Sequence, residues 1–171
     1  MMQLPFIIPE NEYNVRFARL LIIVKELAFS KRGKLVLSID RIAIYDYLLR
    51  NPELLKRVLK AEGQGKLMEL KYEERNSIES LFPNKSSLFD TNIIKKIMYS
   101  LFYYGYVSAK HDNQGYIFYF TSPLGDKFVE ELESNYFQRI QTLSKVLISL
   151  QKLSNAQLQK IIKSTQYGVL S

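Results

Sequence analysis

Asn92-Ile93-Ile94-Lys95-Lys96-Ile97-Met98-Tyr99-Ser100-Leu101-Phe102 leads, past Gly105, into Tyr106-Val107-Ser108-Ala109-Lys110. A polar tip, His111-Asp112-Asn113-Gln114-Gly115, separates that run from Tyr116-Ile117-Phe118-Tyr119-Phe120. In the first piece Ile93, Ile94, Ile97, Met98, Leu101 and Phe102 recur at the spacing of one helix face, which predicts an amphipathic helix. Asn92, Lys95, Lys96, Tyr99 and Tyr103 occupy the opposite face. The two aromatic and β-branched runs predict the strands of a hairpin, with Asn113 and Gly115 able to take the positive φ angles of a tight turn. Thr121-Ser122-Pro123-Leu124-Gly125 then reads as a helix start: Ser122 as N-cap, Pro123 at N1 and Asp126 in the first turn. Phe128, Val129 and Leu132 carry that helix onward. Helix, hairpin and capped helix in succession predict a winged helix, so the fold class expected is α+β, mostly helical.

Working outward, Tyr13 to Ser30 reads as a helix with Phe17, Leu20, Leu21, Val24, Leu27 and Ala28 on one side. Lys34 to Ile39, with Leu35, Leu37 and Ile39 alternating against Val36 and Ser38, is a candidate small strand beside the wing. Asp40 is the expected N-cap of a helix from Arg41 to Arg50 that buries Ile42, Ile44, Tyr45, Leu48 and Leu49. Asn51-Pro52-Glu53 repeats the start signal for a helix bearing Leu54, Leu55, Val58 and Leu59, closed by Gly63 and Gly65. Lys66 to Lys71 reads as an irregular link or short strand, Tyr72 to Phe82 as a further helix, and Asp90 or Thr91 as the cap of the next.

Beyond the wing, Asn135 to Gln151 holds an apolar seam at three- and four-residue steps. Leu143, Val146, Leu147 and Leu150 on it either fold back on the domain or dock a partner helix. Ser154-Asn155 caps a last helix with Leu158, Ile161 and Ile162. The expected organisation is an extended arm over residues 1–12, a winged-helix-like domain over 13–133 and a C-terminal helical extension over 134–171.

Bulk properties narrow the chemistry. A chain of 171 residues with 47% apolar and 13% aromatic residues has the makings of a real core. There is no cysteine, which excludes disulfides and thiolate metal sites. The one histidine, His111, sits on the expected hairpin tip and reads as a solvated polar residue rather than a metal ligand. The Pro-bracketed start, Met1 to Pro9, lacks the features of a signal peptide, and Arg19 and Lys25 interrupt the most apolar run, so a soluble cytoplasmic protein is expected. The net charge of +7 favours anionic partners, yet no run of basic residues stands out.

Candidate catalytic features are weak. Gly63-Gln64-Gly65-Lys66-Leu67 lacks the spacing and hydroxyl of a phosphate-cradling loop. No serine lies in a nucleophile elbow to work with His111. Glu73-Glu74 and Glu130-Glu131-Glu133 read as solvated helix faces. The expectation is a non-catalytic protein with no cofactor, no metal and no small-molecule substrate.

The order of motifs resembles the middle component of ABC-three-component systems, the Lamassu-type bacterial defence operons. The resemblance runs through Leu4-Pro5-Phe6 and Pro9, Tyr13-Asn14-Val15-Arg16, Ile39-Asp40-Arg41-Ile42-Ala43-Ile44-Tyr45-Asp46-Tyr47 and Arg50-Asn51-Pro52. It continues in Ser80-Leu81-Phe82-Pro83-Asn84-Lys85, Leu88-Phe89-Asp90, Gly105-Tyr106-Val107 and Thr121-Ser122-Pro123-Leu124-Gly125. What it implies is a small non-enzymatic subunit that partners an SMC-like or Rad50-like ATPase and an effector, often a nuclease. Such a subunit would couple DNA sensing to effector control.

The alternative is a stand-alone winged-helix DNA-binding regulator. In that case Asn92, Lys95, Lys96 and Tyr99 would line a major-groove face, with Lys110 and Asn113 on phosphate or minor groove. That face has no arginine, the usual reader of guanine, so non-specific contact fits it better than base discrimination.

Overall fold

The computed structural model describes residues 13–75 and 91–167. The expected arm over residues 1–12, the remainder of the Tyr72 to Phe82 helix, the Lys85 to Asp90 connection and residues 168–171 lie outside them. The described residues are mostly helical with one small antiparallel sheet, an α+β arrangement.

Helix α1, Tyr13–Leu27, is the hub. Arg19 to Val24 are buried without a break, as befits a helix surrounded on all sides. The helix ends at Leu27, short of Ser30. A tight antiparallel turn follows, with Ser30 N donating to Lys34 O at 2.8 Å and Val36 N to Ala28 O at 2.9 Å. The strand expected over Lys34 to Ile39 is not formed. Leu35 makes an isolated bridge to Phe29, and Leu37 O accepts one hydrogen bond from Tyr119 N at 3.0 Å. The chain enters a helix immediately after Leu37, which leaves no length for a ladder.

Helix α2, Ile39–Arg50, is buried from Ile42 through Leu49. Its N-cap is Ser38, whose Oγ accepts from Arg41 N at 3.4 Å; Asp40 stands instead in the first turn, where its carboxylate meets the helix dipole. Helix α3, Pro52–Ala61, buries Leu54, Leu55, Val58 and Leu59. Asn51 gives it no side-chain cap; the Asn51 Nδ2 instead donates to Tyr47 O at 2.8 Å at the end of α2. A 3-10 turn over Gly65–Leu67 and an irregular link lead to α4, Tyr72–Arg75.

Helix α5, Thr91–Tyr103, packs on α1 and α2 through Ile94, Ile97, Met98 and Leu101. At about 100° per residue these four fill one narrow sector, and Ile93 and Phe102 fall on its flanks. Both are exposed rather than buried as expected. Gly105, at φ 77°, turns the chain into the hairpin.

Strands β1, Val107–His111, and β2, Ile117–Thr121, pair from Val107↔Thr121 to His111↔Ile117. At the tip Asp112 Oδ1 accepts from Gln114 N and Tyr116 N, both at 2.9 Å, which fixes the turn. Gly115 alone takes positive φ there; Asn113 does not.

Helix α6, Pro123–Glu130, starts as expected, with Ser122 Oγ accepting from Gly125 N at 3.1 Å and Pro123 at N1. Ser122 Oγ also donates to Gly105 O at 2.5 Å, binding the helix start to the end of α5.

Helix α7, Asn135–Leu147, lies along α1, and a 3-10 turn over Ile148–Leu150 ends it. Gln151 Nε2 then donates to Leu27 O and Phe29 O, satisfying carbonyls left open at the C-terminal end of α1. Helix α8, Asn155–Tyr167, opens with a reciprocal capping box: Gln157 N donates to Ser154 Oγ, and Ser154 N to Gln157 Oε1. Ile140, Leu143, Leu147, Leu150, Leu158 and Ile162 belong to the same hydrophobic cluster as α1, α2 and α3.

Candidate functional site

Three features could carry function: a charged cluster inside the core, the outward face of α5 with the wing, and the C-terminal seam.

The charged cluster is architectural. Asp46 of α2 is buried beside Arg19 of α1, whose Nε donates to Oδ1 at 2.6 Å. Arg50 Nε stands 3.2 Å and Arg16 3.8 Å from Oδ2. Arg19 also donates to the Tyr136 hydroxyl of α7 at 3.0 Å. Burial opposes ionisation of Asp46, but Arg19 first and then Arg50 overcome it and hold its carboxyl below the usual carboxylate range. The cluster therefore joins α1, α2 and α7 through paired charge.

Of the acidic groups considered for chemistry, Glu74, Glu130 and Glu131 are paired with cations. Glu74 accepts from Arg139 through both oxygens, at 2.7 and 2.8 Å, and so ties α4 to α7. Burial works against the Glu74 carboxylate, while the Arg139 hydrogen bonds lower its pKa. Glu130 meets Lys25 at 3.1 Å and Glu131 meets Lys127 at 3.9 Å. No group of three or more His, Asp or Glu side chains that could hold a metal occurs among the described residues. Gly63, at φ 71°, ends α3, and Gly63 to Leu67 form a helix terminus with its 3-10 turn.

The outward face of α5 is where the sequence placed contact residues. Asn92, Lys95, Lys96 and Tyr99 all reach the surface of α5, and Lys110 and Asn113 are exposed on the wing. Tyr99 is 75% exposed and lies close enough to Tyr119 of β2 to act on it: burial and then Tyr99 push the Tyr119 hydroxyl up. Further along, Phe102 is 55% and Tyr103 84% exposed, with Tyr104, Tyr116 and Leu124 also open to solvent.

The rings continue as a connected surface. Tyr103 meets Tyr104 edge-on at 5.5 Å, and Tyr104 and Tyr106 both contact Phe17, which meets Tyr13 and Phe128. Tyr13 donates its hydroxyl to Ser100 Oγ at 2.8 Å, locking the start of α1 against α5. Together these rings form a partly exposed aromatic surface beside α5. The sequence reading places Phe102 on the buried face of the helix and singles out neither Tyr104 nor Tyr13, yet all three are exposed. The available signal was the unbroken run Phe102-Tyr103-Tyr104, which is too long for one buried helix face.

The C-terminal seam resolves in favour of fold-back. Leu143, Leu147 and Leu150 are buried within the chain and Val146 is half-buried against the same core. As a free docking surface the seam is thereby corrected: α7 uses it to pack on α1. No helix among the described residues is long and apolar enough to cross a membrane.

Against known proteins, one family model matches residues 27–160, well over half of the chain; its description is ABC-three component (ABC-3C) system Middle Component 4. No curated protein and no solved structure matches. The matched span runs from the end of α1 into α8.

Proposed function

The chain belongs to the ABC-three component (ABC-3C) system Middle Component 4 family, and on that premise we propose that it is a non-catalytic assembly subunit of a bacterial defence complex. Membership places it in a system with partner components. The proposed partners are an SMC/Rad50-like ATPase, as in Lamassu-type operons, and an effector, often a nuclease. The subunit bridges the two and couples DNA sensing to effector control.

One observation carries the reading: the aromatic face of α5, with Tyr99, Phe102 and Tyr103 exposed beside Tyr104. Exposed rings with large contact area and few rotatable bonds are what protein interfaces use as anchors. A nucleic-acid reading helix would be richer in arginine. We assign this face to a protein partner.

We also read the fold as a winged helix with an insertion. Helix α1, the extended residues before α2, helix α2, helix α5 and the hairpin follow the order of that fold, with α3 and α4 inserted ahead of α5. The hydrogen bond from Tyr119 N to Leu37 O supports it, since it sets the extended residues before α2 against the hairpin even though they form no strand. The test is co-expression of the chain with the proteins encoded beside it. Stable co-purification with a large ATPase supports the assignment, and a monomer without affinity for it removes the assignment.

A further inference from the structure

We propose that this protein carries a nucleic-acid phosphate track that runs across the wing tip and the loop after α1, on a surface that shares no residue with α5. The observation is a convergence of cations from four separate segments. One open groove, about 610 Å³, is lined by Phe29, Gly33, Lys34 and Leu35 on one side and by Lys110, Asp112 and Asn113 of the wing on the other. A second, about 940 Å³, is lined by Lys31 and Arg32, by Gln64 and Lys66 beyond α3, and by Ser149 and Lys152 at the turn into α8. The loop from Phe29 to Leu35 is the wall between them.

Lys34 and Lys110 thus border the first groove and Lys31, Arg32, Lys66 and Lys152 the second, on either side of the loop from Phe29 to Leu35; we take the two together as one band. The acids on it, among the described residues, are Asp112 and Glu62. Asp112 turns an oxygen to the backbone N–H groups of Gln114 and Tyr116, and Glu62 reaches Lys152 at 3.9 Å. The other five cations make no ion pair among the described residues.

The loop is built to hold its charges out. Ser30 N donates to Lys34 O, Gly33 N donates to Ser30 O, and Ser30 Oγ accepts from Lys34 N at 3.2 Å. Gly33 sits at φ 75°, a conformation an L side chain rarely takes. Lys31 and Arg32 are thus displayed at the tip of a tight turn whose geometry the backbone sets.

The occupant follows from the chemistry of the lining. Between the cations, alongside the apolar Phe29, Leu35, Phe118, Leu67 and Ile148, stand Ser30, Gln64, Asn113, Gln114, Ser149 and Gln151, residue types that contact phosphate and sugar without reading bases. The exposed tyrosines that would anchor a protein partner lie elsewhere, on α5 and its neighbours. Spread charge with hydroxyl and amide side chains suits a polyphosphate backbone, bound without sequence preference and sensitive to salt.

The experiment measures binding of the full chain to a labelled duplex of about 30 base pairs while salt rises from about 50 to 200 mM. We expect Lys31→Glu with Arg32→Glu to weaken binding at least about tenfold and to lower the logarithmic salt slope by about two. Lys66→Glu with Lys152→Glu lowers it similarly, whereas Lys95→Glu with Lys96→Glu changes it little. Circular dichroism of each variant confirms the fold. A wild-type chain that fails to bind the duplex, an unchanged slope in both band variants, or a loss confined to the α5 variant overturns the proposal. Partner co-purification, measured in parallel, keeps this inference separate from the assembly reading. The Lys31→Glu and Arg32→Glu variant retains its partners if the track is for nucleic acid, and its losing them with DNA binding intact assigns the band to protein and overturns the proposal.

Discussion

Arg19 Nε and Asp46 Oδ1 meet at 2.6 Å inside the core, fastening α1 to α2 where neither side chain reaches solvent. Breaking a buried pair by removing one partner leaves a desolvated charge behind, at about 3–5 kcal/mol. Asp46→Asn is expected to destabilise the chain by that order, read as a lowered denaturant midpoint. Joint replacement of Arg19 and Asp46 by apolar residues should recover part of the loss.

The same pair sets a pH dependence. The folded pKa of Asp46 is depressed, so between the folded value and the unfolded value of about 4 the unfolded state binds more protons. The pair's contribution is therefore complete above that range and is lost as pH falls through the depressed value. Unfolding midpoints measured downward from neutral pH should drop more steeply in wild type than in Asp46→Asn.

Gly125 tests the docking of α6 on the hairpin. A Cβ there would lie 2.1 Å from Tyr106 O, a backbone atom that also accepts from Ser122 N and cannot move aside cheaply. Gly125→Ala is expected to lower stability by about 1–3 kcal/mol although alanine is the better helix former. Ser122→Ala, which loses the cap on Gly125 N, should lower it by about 1 kcal/mol. Thermal unfolding distinguishes both from wild type.

Leu147 tests the reassigned seam. As a buried core residue on α7 it should lose about 2–5 kcal/mol on truncation to alanine. The exposed Lys145 on the same helix should change by less than about 0.5 kcal/mol. A Leu147→Ala chain as stable as wild type would return the seam to the surface.

Local signals were the most legible. Ser122-Pro123 and Ser154-Asn155 mark helix starts because capping chemistry acts within four residues, and the hairpin follows from two apolar runs around a polar tip. The failures come from competition and distance. Asp40 and Ser38 both qualify as caps, and the helix begins early enough to use Ser38. Phe102 matches the helical spacing, but α1 and α2 cover only a narrow sector of α5 and leave it outside. Arg19 was read as an interruption in an apolar run, because its partner Asp46 lies 27 residues away. The band around Lys31 and Arg32 was invisible for the same reason: Lys66, Lys110 and Lys152 join it only through the fold.

The most direct test of the central claim is capture of the neighbouring-gene ATPase by the full chain carrying Tyr99→Ala and Tyr103→Ala. Both side chains are exposed, so the fold should hold within about 0.5 kcal/mol. If α5 presents the docking face, wild type retains the ATPase through size-exclusion chromatography and the variant elutes alone, correctly folded. Equal retention of the ATPase by the variant and wild type would contradict the account.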